Sequence, residues 1–111
     1  MVEVTLFFQG KNLVGIQSRG HAGFAQSGSD VVCAAVSALM QSLVYGISEV
    51  AKLKSASIHV NPRVPVIRVN WPEIECEKIS LLTQTISQSL KIIARDNSKH
   101  VKIYSEVNNP S

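Results

Sequence analysis

The sequence predicts an α+β fold in which a largely antiparallel sheet of about five strands packs against two long helices, in the order β-β-α-β-β-α-β. Two observations carry this prediction. Short segments in which apolar and polar residues alternate are typical of half-buried strands, and two longer segments repeat apolar residues every three or four positions, as helices do. The 111 residues suit a single domain spanning 1–111, since one core typically serves about 100–150 residues.

The first predicted element is a β-hairpin over residues 2–19. Apolar and polar residues alternate from Val2 to Gln9, Gly10-Lys11-Asn12 is a turn signal, and the alternation resumes at Val14. Residues 20–29 are too rich in glycine for a regular element. This composition predicts a mobile loop.

The first helix is predicted from Val31 to about Lys54. Asp30 is its predicted N-cap, because a carboxylate can accept hydrogen bonds from the free amides of the first turn. Apolar side chains occupy almost the whole circumference of this helix. A single sheet covers one side of a helix, and we therefore expect another side to pack against a second copy of the chain.

Two strands are predicted next, over residues 56–60 and 64–71. They flank a turn at Asn61-Pro62-Arg63, and Pro65 indicates a strand start or an edge strand because proline cannot donate to a sheet. Trp71-Pro72 ends the second strand.

The second helix is predicted from Glu73 to Asp96. Its apolar residues fall on one face and its polar residues on the other, which is the pattern of a half-exposed helix. Acidic residues at its start and basic residues at its end suit the helix dipole. Alternation over 101–105 predicts a last strand, and residues 108–111 a frayed end.

Composition excludes several classes of protein. With 45% hydrophobic and 17% charged residues, the chain can bury a core and is not a disordered tail. The longest apolar run, Val31 to Met40, is shorter than the roughly 20 residues of a membrane span, so no membrane partner is expected. The amino-terminal residues lack the pattern of a secretion signal. We therefore expect a cytoplasmic protein in which Cys33 and Cys76 are free thiols.

Cys33 and His21 are the candidate catalytic pair. Cys33 falls in the first turn of the predicted helix, where unpaired amides and the helix dipole favour a thiolate. The glycine-rich loop is long enough to bring the His21 imidazole to the sulfur, as a general base or as an ion-pair partner. Asp30 can cap the helix or orient His21. From these residues alone, a Cys33 that only packs in the core is an equally good interpretation.

Other chemistries find less support in the sequence. The histidines and cysteines lack metal-ligand spacing, so neither a metal nor an organic cofactor is expected, and the glycines fit neither phosphate-binding pattern. The alternative function is a non-catalytic RNA-binding or ribosome-assembly module, because the net charge is +3 and basic residues gather near the carboxyl end. These residues are Lys91, Arg95, Lys99, His100 and Lys102. Aromatic residues make up only 5% of the chain, and no strand shows the stacking aromatics of an RNA-binding sheet.

One stretch of the chain resembles a known family. Gly20-His21-Ala22, Gly28-Ser29-Asp30 and Val31-Val32-Cys33-Ala34-Ala35-Val36-Ser37 are similar to the signature of the ribosomal-processing cysteine protease family, Prp or YsxB-like. The predicted order of strands and helices is similar too. The resemblance implies a bacterial homodimeric cysteine endopeptidase with a Cys-His dyad. Its substrate would be the amino-terminal extension of a large-subunit ribosomal protein precursor, which implies proximity to the ribosome or to RNA.

The resemblance also implies a role for each matching residue. Cys33 would be the nucleophile and His21 the base or ion-pair partner, with Asp30 and Ser37 as supporting residues. Three glycines would let the loop move over an extended peptide: Gly20, Gly23 and Gly28. Aromatic residues precede the scissile bond in the family's substrate, so an apolar groove is implied. Its candidate lining residues, each with core packing as the alternative, are Phe24, Trp71 and Tyr104.

Overall fold

The strands and helices follow the predicted order. The computed structural model describes residues 1–20, 29–61 and 63–109, without the side chains of Ser29 and Asp30. The elements are β1 (Val2–Gln9), β2 (Asn12–Arg19), α1 (Ser29–Tyr45) with a π-helical continuation (Gly46–Val50), β3 (Ser57–Asn61), β4 (Val66–Asn70), α2 (Ser80–Asp96) and β5 (Val101–Asn108).

The five strands form one sheet in the order β3-β4-β2-β1-β5. β1 pairs antiparallel with β2, β2 with β4, and β4 with β3, while β5 runs parallel to β1. Three of the four pairings are therefore antiparallel, which confirms the predicted sheet. The helix α2 connects β4 to β5, which point the same way, as a helical crossover does. β3 and β5 are the edges of the sheet.

The two helices cover one face of the sheet. Alternate residues of the strands point to that face, and Leu6, Ile16 and Val69 lie opposite one another in neighbouring strands and are buried. The other face carries exposed Glu3 and Arg68. On α1 the buried residues recur at helical spacing: Val32, Val36, Met40, Leu43 and Ile47. This stripe is the contact between α1 and the core.

The helix α1 differs from its predicted bounds at both ends. It begins at Ser29 rather than Val31, and its helical structure ends at Val50 rather than near Lys54. Lys52 takes the left-handed conformation with a φ of 52°, and the Leu53 amide turns back to the Ile47 carbonyl at 2.9 Å. These backbone features end the helix, and hydrophobic periodicity does not reveal them.

The segment Val31–Val50 has the length and mean hydropathy of a membrane-spanning helix. The longest uninterrupted apolar run was too short to predict a segment of this kind. Scattered polar residues interrupt the run but lower the mean hydropathy only slightly. A core helix meets the same criterion, and the buried stripe shows that α1 packs on the sheet. Only 28% of the segment is buried, so α1 also presents apolar surface outward.

The second helix begins later than predicted. Glu73–Glu75 form a short 3-10 turn, and α2 starts only at Ser80. The Asn12 side-chain amide donates a hydrogen bond to the Glu73 carboxylate at 2.7 Å, which ties this segment to the hairpin turn between β1 and β2. The contact joins residues far apart in the sequence, so local pattern did not predict where the helix starts.

The last strand is longer than predicted. β5 reaches Asn108, whose carbonyl accepts a hydrogen bond from the Gly10 amide at 2.8 Å. The Asn108 side chain also donates to the Gln9 side chain at 3.1 Å. Asn108 is therefore held by the neighbouring strand and is not part of a frayed end, while residues 110–111 lie outside the described range.

The packing of α2 can be tested by mutating two of its leucines, one buried and one exposed. Leu90 is fully buried and Leu81 is 87% exposed. Replacing Leu90 by alanine should lower the free energy of unfolding by about 2–5 kcal/mol, because it removes contacts and leaves a cavity. Leu81→Ala, measured by the same urea titration, should change it by less than about 0.5 kcal/mol. Equal losses in the two variants would show that α2 does not face the sheet as described.

Candidate active site

Cys33 lines a pocket between α1 and the β3–β4 hairpin. The volume of the pocket is about 180 Å³. Three residues that the sequence placed at the site meet there: Gly20, Cys33 and Ser37. The other lining residues are mainly apolar: Val2, Ser18, Val36, Val60, Asn61, Pro65, Val66 and Ile67. A thiol beside an apolar cleft of this kind can meet a peptide bond whose neighbouring side chain fills the cleft.

The helix α1 brings Cys33 and Ser37 to the same flank, because residues four apart lie one above the other on a helix. Cys33 is a partly buried free thiol. Since α1 begins at Ser29, Cys33 is in the second turn and not in the first turn that the sequence predicted. The helix dipole acts mainly within the first turn, so Cys33 lies farther from its strongest part than we expected.

Asp30 is the second residue of α1 and not its N-cap. The prediction failed because Ser29 and Asp30 are both residue types common at helix starts, and local sequence does not decide between them. The second position still belongs to the first turn of a helix, where acidic residues are favoured.

Gly20 is fixed at the wall of the pocket. Its amide donates to the Pro65 carbonyl at 2.9 Å, and its φ of +95° is one that side chains rarely permit. A Cβ at this position would lie 2.5 Å from the carbonyl oxygen of Met1. Glycine is thus required here by conformation and by close approach, a different reason from the loop mobility that we predicted.

His21, Gly23, Phe24 and Gly28 lie outside the described residues. Their predicted roles stay predictions. The chain leaves the pocket wall at Gly20, and His21 is the next residue in the sequence.

The β3–β4 hairpin forms the wall opposite α1, and sequence reasoning missed it. The Asn61 side-chain oxygen accepts hydrogen bonds from the amides of Arg63 at 3.0 Å and Val64 at 3.3 Å. This turn brings Pro65 and Val66 to the pocket. Asn-Pro was visible as a turn signal, but only the pairing of β4 with β2 places the turn beside Cys33.

Trp71 and Tyr104 do not line the pocket at Cys33. Trp71 is buried, and its indole N–H donates to the Leu13 carbonyl at 2.8 Å, so the alternative of core packing is correct for it. Tyr104 lies on β5, at the opposite edge of the sheet from β3.

Cys76 occupies a different environment from Cys33. Its thiol donates to the Leu13 carbonyl at 3.0 Å and lines a separate pocket with Lys11 and Glu77. Burial, and then the charge of Glu73, raises the pKa of the Cys76 thiol. A protonated, hydrogen-bonded thiol is a poor nucleophile, so Cys76 is not a second candidate for catalysis.

Within residues 1–20, 29–61 and 63–109, no three side chains of histidine, cysteine, aspartate or glutamate lie close enough together to bind a metal ion.

A free cysteine beside an apolar cleft is an arrangement that can serve a thiol hydrolase. The family model for cysteine protease Prp matches residues 1–102 of the chain. The chain therefore belongs to the Prp family and is a cysteine protease. No curated protein sequence matches it.

The fold is similar to solved structures over nearly the whole chain. SMU.848 from Streptococcus mutans has a TM-score of 0.85 at 23% identity, covering 97% of this chain and 96% of that chain. The ribosomal processing protease Prp from S. aureus with a substrate peptide has a TM-score of 0.82 at 18% identity, covering 96% and 100%. The same protease with a covalently linked product peptide has a TM-score of 0.78 at 21% identity, again covering 96% and 100%. These likenesses confirm the five-stranded mixed sheet with two helices.

The Cys76 thiol should react slowly with iodoacetamide. In Cys33→Ala the remaining thiol, Cys76, should be alkylated more slowly than free cysteine at pH 7.5, because its raised pKa lowers the thiolate fraction. Intact-mass spectrometry over time measures the rate. Denaturing the same variant in urea is the control and should restore the rate of free cysteine. Equally fast labelling of the folded variant would contradict the described environment of Cys76.

Proposed function

We propose that this protease is a cytoplasmic endopeptidase that removes the amino-terminal extension of a large-subunit ribosomal protein precursor. The observation that carries the proposal is the pocket in which Cys33, Ser37 and Gly20 meet, in a chain that belongs to the Prp family. The S. aureus protease of similar fold is a ribosomal processing protease that has been solved with a substrate peptide. This supports the same class of substrate for this chain.

In the proposed reaction, Cys33 is the nucleophile and His21 the base or ion-pair partner. The Cys33 thiolate attacks the carbonyl carbon of the scissile bond, the carbon–nitrogen bond breaks, and the leaving amine takes a proton from His21. The acyl group is then held on Cys33 as a thioester. Water attacks this thioester, which releases a carboxylate and returns the thiol.

The walls of the pocket support a preference for an apolar side chain next to the scissile bond. Val36 is buried and anchors that part of the wall to the core, while Val60 and Ile67 reach the pocket from the hairpin. Ser37 lies one turn after Cys33 on the same flank and supports the site from there. A peptide bound here would present its backbone carbonyl near the Cys33 sulfur.

The dyad is tested with a peptide that spans the precursor's cleavage site. Cys33→Ala should abolish cleavage, and His21→Ala should lower kcat by about 10²–10⁴-fold, the usual worth of a general base. Asp30→Ala should cost less, because that residue supports the dyad rather than reacting. Cleavage is followed by mass spectrometry.

Cys76→Ala is the matched control for this experiment and should keep the wild-type rate. Wild-type turnover in Cys33→Ala or in His21→Ala would show that the assigned dyad is wrong. If the wild-type protein does not cleave the precursor peptide, the proposed substrate is wrong.

We also propose that the protein is a homodimer that packs through the outer face of α1. Val31 is 74% exposed, and Ala34 and Ala38 follow it on the exposed side of the helix. Small and apolar side chains in such a row allow two helices to approach closely. The low burial of this apolar helix supports the proposal.

Sedimentation equilibrium tests the dimer. Ala38→Arg should shift the mass from dimer to monomer at micromolar concentration, because it places a charge in the middle of the proposed contact. Leu81→Arg is the control, since Leu81 is 87% exposed on α2, and it should leave the mass unchanged. A wild-type protein with the mass of a monomer would contradict the proposal.

Proximity to RNA is the remaining part of the proposal. Lys91, Lys99 and Lys102 are exposed near the end of α2 and the start of β5, where a basic surface would favour phosphates. Arg95 is less available, because it is paired with Asp96 at 3.0 Å. Salt-sensitive binding of ribosomal RNA, unchanged in Cys33→Ala and without any peptide cleavage, would favour the alternative of a binding module.

A further inference from the structure

The pocket at Cys33 is one end of a longer groove. Along α1, five residues lie four, four, three and four positions apart, so they share one flank of the helix: Cys33, Ser37, Gln41, Val44 and Ser48. The first two line the pocket at Cys33 and the other three line a second pocket of about 500 Å³. The two pockets share Val60 and Ile67.

A third pocket of about 400 Å³ continues the same line. It shares Ser48 and Glu49 with the second pocket and reaches Ile58 on β3. Helix residues with rising numbers thus face strand residues with falling numbers, from Val60 to Ile58. The three pockets form one channel between α1 and β3, which we name the α1–β3 groove.

The strand side of this groove is the free edge of the sheet. β3 pairs with β4 on one side and is the terminal strand of the sheet. Its side chains Ile58 and Val60 are 40% and 55% exposed. Proteins usually protect such an edge with charge, proline or a bulge, because it offers unpaired backbone groups to another strand. Within residues 1–20, 29–61 and 63–109, no strand pairs with the outer side of β3, and its apolar side chains lie near the candidate nucleophile.

The dimensions of the groove match an extended peptide. From Cys33 to Ser48 the helix advances about 22 Å at 1.5 Å per residue. An extended chain advances about 3.3 Å per residue, so the groove holds about six or seven residues. Val44 lies about 16 Å along α1 from Cys33, a distance that an extended chain covers in about five residues.

We propose that the α1–β3 groove binds an extended segment of the substrate on one side of the scissile bond, paired with the free edge of β3. An apolar side chain about four or five residues from the scissile bond then packs against Val44, Tyr45 and Val60, which line the same pocket. Addition of a strand to a sheet edge is a common way to bind a peptide, with backbone hydrogen bonds for affinity and side-chain pockets for selectivity. The inference rests on the proposed protease function and identifies the residues that select its substrate.

Two peptides test the groove. One carries about three residues on each side of the cleavage site and the other about seven. Wild-type kcat/KM should be about 10- to 100-fold higher for the long peptide, the worth of one buried apolar side chain. Tyr45→Glu and Ile58→Glu, one on each wall, should bring the ratio of the two values close to one, because a charge in the groove disfavours an apolar side chain.

The sheet offers a matched control for each variant. Tyr104 is an exposed tyrosine and Val107 is 54% exposed, and both lie on β5 at the opposite edge of the sheet. Tyr104→Glu and Val107→Glu should keep the wild-type preference for the long peptide. A wild-type ratio near one, or equal losses in these controls, would overturn the proposal.

Binding to Cys33→Ala separates this inference from the proposed function. By fluorescence anisotropy, the labelled long peptide should bind this inactive variant more tightly than the short one, and Tyr45→Glu should abolish the difference. Such binding without cleavage by the wild-type protein would support the groove and contradict the protease substrate. Cleavage of both peptides by the wild-type protein at equal rates would support the protease function and contradict the groove. If Ile58→Glu, which changes the strand wall away from the outer face of α1, instead turns a dimer into a monomer by sedimentation, the groove holds a second copy and the proposal is wrong.

Discussion

The contact between the buried stripe of α1 and the sheet determines most of what this protein can do. Val36, Met40 and Leu43 leave the helix a single rotation about its axis, since any other would expose them. Residues about 50° from the middle of this stripe on one flank, such as Cys33, then face the β3–β4 hairpin. The other flank faces α2, where Gly46 lies so close to Leu82 that a Cβ would come within 2.6 Å of its side chain. The position of the thiol is a consequence of core packing.

The second fixed point is Gly20, which joins three parts of the chain beside the thiol. It ends β2, its amide holds the β3–β4 hairpin through Pro65, and its missing side chain admits the backbone of Met1. The helix and this junction together enclose the pocket at Cys33. Gly20 is thus held in place by these contacts. The candidate base His21 follows it directly in the sequence.

The order of the elements could be predicted from the sequence, and so could the grouping of Gly20, Cys33 and Ser37, because both depend on local pattern. Alternation and helical periodicity are properties of neighbouring residues, and so is the motif around Cys33. The errors occurred where distant residues decide the outcome, as with Asn12, whose contact with Glu73 accompanies the late start of α2. The hairpin wall was missed for the same reason, since strand register alone brings Pro65 to the thiol. The pocket beside Cys33 depends on how the strands pair in the sheet, which local sequence patterns do not reveal.

The tasks that we assign to α1 meet at Tyr45. Cys33 and Val44 face β3, about 80–100° or more around the helix from the exposed Ala34 and Ala38. Tyr45 also lines the groove, yet it lies only about 20° around the helix from Ala34 and Ala38. A second copy on the outer face therefore borders the groove at Tyr45, while Cys33 and Val44 stay on the side of the peptide. The apolar character of α1, which exceeds what one sheet can cover, suits the core contact together with the partner and the substrate that we propose. An apolar edge strand left open beside such a helix has a physical cost in aggregation, and a bound peptide removes that cost by pairing with the edge.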